Sequence, residues 1–196
     1  MPSDPVVLAF DTSAAHCAAA LLVGDRIVAA RAEDMGRGQA ERLIPLLEEV
    51  LQEAGKTWRD LTAIGVGVGP GNFTGIRISV AAARGLALAL GIPAVGVDGF
   101  DAREPDTAPG HLPAIPAPRD QVYIRPAGGE AMLVSRDETA SLGPLQTEFS
   151  PCALAEAIAV LAAERAAETS APPAPLYVRP ADAAPSRDVA PALLDP

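Results

Sequence analysis

Two short stretches carry residue types that can do chemistry on a phosphate. Asp11, Thr12 and Ser13 follow an apolar run, and GVGVGPGNFTGIRIS at 65–79 puts five glycines into the eleven positions 65–75 before turning amphipathic. An Asp with adjacent hydroxyls at a strand end can bind a metal-bound phosphate, or it can form an Asx turn that caps the strand. Asn72 and Thr74 are both good N-cap residues, and the free N–H groups of the helical turn they open can meet an anion. The same glycines can instead let a tight turn pass close to Asp11–Ser13 with no ligand present. The candidate loop residues are Gly69, Gly71, Asn72, Thr74 and Gly75 beside Asp11, Thr12 and Ser13. Neither common nucleotide fingerprint is met. No glycine pair in 65–75 has P-loop spacing, no Lys is near, and G-x-G-x-x-G from Gly69 fails at Thr74.

Other chemistries find fewer ligands. His16 and His111 are the only histidines, so neither H-x-x-x-H nor H-E-x-x-H exists to hold a metal. His16 most simply faces a strand surface, and His111 falls in an irregular, Pro-rich segment. Cys17 and Cys152 form no C-x-x-C, and a reduced intracellular chain is expected. The net charge of −10 argues against unaided tRNA or DNA binding, which needs a basic footprint. No basic n-region opens the chain, and no stretch approaches the roughly 20 apolar residues of a membrane span. A soluble, cytoplasmic protein is expected, with no metal and no cofactor.

The elements that must position these residues can be read from hydrophobic periodicity. VVLAF (6–10), HCAAALLV (16–23) and RIVAARAE (26–33) read as an antiparallel meander with a Gly24-Asp25 turn. A helix follows at 38–55, with a kink or late start at Pro45 and a stop at Gly55. A buried strand at 62–69, a helix at 74–91 closed by Gly91, and a strand at 93–100 complete an α/β lobe over 1–100. Residues 103–118 hold five prolines and read as a linker or irregular rim. Short strands at 121–126 and 131–135 and a helix at 151–168 make a reduced second lobe over 101–170. The Pro-rich segment 171–196 reads as extended or partly disordered, with a short strand at Leu176–Val178.

LAFDTS, GRGQAERLIPLLEEVL and above all GVGPGNFTGIRISVAAARGLALALGIPAVGV resemble the bacterial TsaB family, with weaker echoes at 117–124 and 174–182. The resemblance implies the two-lobed fold of actin, sugar kinases and Hsp70 (the ASKHA fold). It implies a non-catalytic subunit that pairs with the catalytic paralogue TsaD, which transfers a threonylcarbamoyl group to N6 of adenosine 37 in tRNAs reading ANN codons. A small ATPase, TsaE, joins the assembly, tRNA is met only through the complex, and a homodimer can form through the same helices. The family often has I-D-A-R before its V-Y strand, whereas here Ile115 is followed by Pro116, and Gln39 stands where His is frequent. The loop at Asp11 and Gly69 is then a vestige of a nucleotide site. The helix pair is the expected docking surface, with Glu41, Arg42, Leu46, Val50, Ile76, Arg77, Val80, Ala83 and Arg84 as its residues. The bland alternative is that these Ala-rich helices simply pack on their sheet. A sugar-kinase-like ATP-binding enzyme and a metallopeptidase are the competing classes.

Overall fold

The structure is a computed structural model that describes residues 4–178. Its first sheet joins β1 (Val6–Asp11), β2 (His16–Val23), β3 (Arg26–Asp34), β4 (Ala63–Gly67) and β5 (Ala94–Val97) in the order β3-β2-β1-β4-β5. The meander β1–β2–β3 is antiparallel, while β1–β4 and β4–β5 are parallel, as crossovers through helices require. The helices are α1 (Gln39–Glu53) and α2 (Phe73–Leu90).

Both faces of β1 are covered, which is why its five apolar residues are continuous rather than alternating. Leu8 and Phe10 meet Leu43, Leu46, Leu47 and Val50 of α1 and Ile76, Val80 and Ala83 of α2 in one cluster. Val7 and Ala9 face the other way, onto Leu154, Ile158, Ala159 and Ala162 of a further helix, α3 (Pro151–Arg165). Its place in the chain puts α3 with the second lobe; it instead closes the far face of the first sheet. A Cβ on Gly65 would come 2.9 Å from the Ala162 methyl, so glycine there is what lets α3 sit down on the strand.

The second sheet joins β6 (Leu112–Ala117), β7 (Gln121–Ile124), β8 (Met132–Ser135) and the two-residue β9 (Leu145–Gln146) in the order β8-β7-β6-β9. Its core is small: Ala114, Val122 and Ile124, with Leu112, Val134 and Leu145 beside them. The expected rim at 103–118 thus contains an interior strand. Pro113 and Pro116 hide it in the sequence, because proline disfavours ladder positions and breaks the periodic signal.

Local stops and caps follow the residue chemistry. Asn72 is the N-cap of α2, its side chain accepting from Gly75 N at 2.8 Å, and Gly91 closes the helix at φ 68°. Gly55, at φ 63°, stands just past α1. Pro45 lies inside α1 on its exposed side, and the helix runs through it from Gln39 rather than starting late. Helix α2 has the length and overall composition of a membrane span but carries Arg77 and Arg84 within it. Here it lies on the sheet, with Ile76, Ser79, Val80 and Ala83 buried against it. Leu176–Val178 forms no strand but is tied to the first lobe by Leu176 N donating to Val68 O at 2.8 Å.

Candidate functional site

Asp11 ends β1 at the corner where the meander turns, and it is buried. Its Oδ2 accepts from Ser13 N at 2.9 Å and Ser13 Oγ at 2.8 Å, and lies 2.7 Å from His16 Nε2. Burial pushes the Asp11 carboxyl upward, but the hydrogen bonds and charge of His16 and the two Ser13 donors outweigh it and hold the group below its ordinary value. This is an Asx turn with a histidine added.

The glycine loop rests directly on that corner. Asn72 N donates to Ser13 O at 2.6 Å, and Thr12 Oγ1 donates to Gly75 O at 2.7 Å. A methyl group at Gly75 would run into the Thr12 carbonyl oxygen, one at Gly71 into the Ser13 carbonyl, and one at Gly67 into the Asp11 carboxylate. The glycines therefore permit backbone-to-backbone contact. Gly69 turns at φ 94°, and its oxygen accepts from Gly99 N at 2.7 Å. Thr74 is exposed on the first turn of α2.

Between the two sheets lies a cleft of about 910 Å³. Ser13, Asn72 and Phe73 line it from the first lobe and Ile115, Arg119 and Tyr123 from the second, with Leu176 and Tyr177 along one side. Asp11 is not among the lining residues; it sits behind Ser13. Beyond β5, Asp98 and Asp101 bind Arg125 at 2.9 and 2.6 Å, and Asp101 also binds Arg165 at 2.8 Å, pinning β7, the β5 exit and α3 together. No group of three or more His, Cys, Asp or Glu side chains comes close enough to hold a metal among the described residues.

The expected docking residues divide sharply. Leu46, Val50, Ile76, Val80 and Ala83 are buried against the sheet and cannot meet a partner, which corrects their assignment. The error is one of phase: a helix on a sheet must spend its most apolar stripe on that sheet. Arg42 is half-buried, bidentate to both Glu33 and Glu49 at 2.6–2.8 Å, and so braces α1 on β3. Glu41, Arg77 and Arg84 are exposed. The outward face of α2 also shows Ala81, Gly85, Ala89 and Leu88, the last 86% exposed, and Ile44 of α1 is 38% exposed.

Two residues escape sequence reasoning as functional candidates. His16, expected on a strand surface, is instead buried on Asp11, a relation that i, i+5 spacing across a hairpin does not announce. Arg103, 6% exposed, lines the cleft from a stretch that reads as a linker.

The comparisons agree with this architecture. The family model TsaD, tRNA N6-adenosine threonylcarbamoyltransferase, matches residues 31–140. The chain is 38% identical over 91 residues to the tRNA threonylcarbamoyladenosine biosynthesis protein TsaB of Escherichia coli, a match covering 46% of this chain and 39% of that one. The aligned stretch thus spans less than half of that relative. An uncharacterized protein of Mycobacterium tuberculosis is 34% identical over 91% of this chain and 94% of its own. YeaZ from Pseudomonas aeruginosa superposes with a TM-score of 0.67 at 26% identity, covering 88% of this chain and 99% of that one. A second Pseudomonas aeruginosa structure, described as similar to peptidase YeaZ, gives a TM-score of 0.71 at 26% identity over 89% and 100% of the two chains. With the meander, the two crossover helices and the GPGNFTGIRI loop in place, this chain has the two-lobed ASKHA fold and belongs to the TsaB family.

Proposed function

We propose that the chain is a non-catalytic docking subunit for a TsaD-type partner and supports threonylcarbamoyl transfer to N6 of adenosine in tRNA. The observation that carries this reading is the outward face of α2. Ala81, Gly85 and Ala89 leave it flat and small, Leu88 stands out from it 86% exposed, and Arg77 and Arg84 flank it. Small residues let a second helix approach closely, and a projecting apolar side chain can seat between the helices of a bundle. A TsaD-type chain shares the βαβα lobe and would offer an equivalent helix pair, burying on the order of 800 Å² per partner. The same geometry allows a homodimer when the partner is absent, and a TsaE-type ATPase would join the heterodimer. With a net charge of −10, tRNA would be met through the complex.

The alternative of an ATP-using, sugar-kinase-like enzyme is less well supported. Asp11 Oδ2 is already occupied by His16 and Ser13 and the residue sits behind Ser13, outside the cleft lining, and Ile115-Pro116 brings no carboxylate to the opposite wall. The deciding experiment is co-expression with the TsaD-type paralogue, followed by sizing and nucleoside analysis of tRNA. Wild type should co-purify and Leu88→Asp should not. A Leu88→Asp chain that still assembles would remove α2 as the docking surface.

A further inference from the structure

The two sheets share no hydrophobic cluster among the described residues. The clusters around Phe10, Val7 and Ala18 belong to the first sheet and its helices, and the one around Val122 belongs to the second sheet. The chain crosses from β5 to β6 through 98–111 and returns from β9 to α3 through 147–150. Two lobes joined by short crossings, with no large apolar interface between them, are the arrangement in which hinge motion is the default.

An ionic chain is fastened across the first crossing. Arg125, one residue past β7, donates from Nη1 to Asp98 Oδ2 at 2.9 Å and from Nη2 to Asp101 Oδ1 at 2.6 Å. The other oxygen of Asp101 accepts from Nη2 of Arg165, the last residue of α3, at 2.8 Å. Acid and base alternate as Asp98–Arg125–Asp101–Arg165, so each charge in this partly buried chain is compensated. Asp98 keeps its second oxygen for the turn itself, where Oδ1 accepts from Phe100 N at 2.9 Å and Asp101 N at 3.0 Å. That turn presents both carboxylates to one guanidinium, which also stands 5.2 Å over the ring of buried Phe100. Burial pushes the Asp101 carboxyl up, but the hydrogen bonds of Arg125 and Arg165 outweigh it and hold the group below its ordinary value.

The turn belongs to the first lobe, because Ala102 packs in the cluster under α3. The ion pairs of Arg31 and Arg42 stay inside that lobe, and the pair of Arg136 with Asp120 stays inside the second. Among the described residues, Arg125 alone carries ion pairs from one lobe to the other. We infer that this ionic chain is an interlobe latch: Arg125 fixes the angle between the two sheets, so that the protein moves as one body instead of closing about the 98–103 turn. Because the latch is polar, opening it uncovers no shared apolar core, and the lobes can part without unfolding. The inference is independent of the docking face proposed for α2.

The test is the distance distribution between one spin label in each lobe of the full chain, measured by pulsed dipolar spectroscopy. The labels are carried by Gln52→Cys on α1 and Met132→Cys on β8, both at exposed positions, in a Cys152→Ser background, with Cys17 buried beyond reach of the reagent. With Arg125 present the distribution should be single and narrow. Arg125→Gln should widen it about twofold or more, because motion between lobes is the default once the fastening is gone. Asp98→Asn keeps an Oδ1 acceptor for the turn while removing the charge that faces Arg125, and it should widen the distribution as well. Arg136→Gln, whose partner Asp120 lies in the same lobe, should leave it unchanged. A merely structural ion pair would lower the melting temperature without moving the width. The inference is overturned if the wild-type distribution is already broad, if neither Arg125→Gln nor Asp98→Asn widens it, or if Arg136→Gln widens it equally. Variants at both ends of the pair keep the test decisive where one of them folds poorly.

Discussion

His16 Nε2 and Asp11 Oδ2 lie 2.7 Å apart with both residues buried, so the residue most suited to bind metal-bound phosphate is tied to the chain's own histidine. The pair joins the end of β1 to the start of β2 across the turn on which the glycine loop rests. Its role here is to hold that turn. Asp11→Ala should lower stability by about 3 kcal/mol, because it strands the Ser13 and His16 donors in a buried place. Chemical denaturation measures this. The purified wild-type chain should show no ATP turnover for the substitution to abolish; measurable hydrolysis lost in Asp11→Ala would overturn the docking reading.

The same pair sets an acid limit. Asp11 is held below its ordinary value of 3.8 in the folded chain, so folding is favoured by its ionised form. That contribution is fully present above the unfolded value, near pH 4, and is lost as pH falls through the lower folded value. Melting temperature recorded from pH 6 down to pH 2 should fall steeply below about pH 4 in wild type, and less steeply in Asp11→Asn.

Two glycine substitutions should have opposite signs. Gly75→Ala drives a methyl into the Thr12 carbonyl and must push α2 off the turn, so a loss of about 2 kcal/mol or more is expected. Gly85 lies within the same helix, and a methyl added there meets nothing within 4 Å, so Gly85→Ala should raise stability by about 0.5–1 kcal/mol. Equal effects at the two positions would contradict the close approach.

On α2, charge placed about two turns apart should separate folding from docking. Val80 is 3% exposed in the core, so Val80→Asp should unfold the chain rather than probe an interface. Leu88→Asp should keep the wild-type melting temperature within about 2 °C. Thermal melts of both, run before any pull-down, check this.

The cysteines should differ in reactivity. Burial, followed by the nearby Glu33 charge, pushes the Cys17 thiol up to about 11, and Cys17 is fully buried. Cys152 is half-buried, with its thiol raised more modestly by burial and Glu156. Thiol titration of the native chain at pH 8 should label Cys152 first, and Cys17 only on unfolding. Because the folded Cys17 value is raised, its contribution to stability is present below about pH 9 and fades as pH rises toward 11.

The first lobe is legible in the residues, because its strands and helices are long, periodic and punctuated by Gly24, Gly55 and Gly91. Asn72 is legible too, since a cap acts through its own side chain three residues ahead. What those signals share is locality: each is written within a turn or two of chain. Tertiary structure alone decided the rest. It buried Val80 and exposed Leu88, because the phase of a nearly all-apolar helix is chosen by the sheet it lands on. It carried α3 from the second lobe's stretch of sequence to the first sheet, and it brought Arg103 from a proline-rich stretch to the wall of the cleft. Such placements depend on which distant surfaces find each other, and no local pattern of residues encodes that.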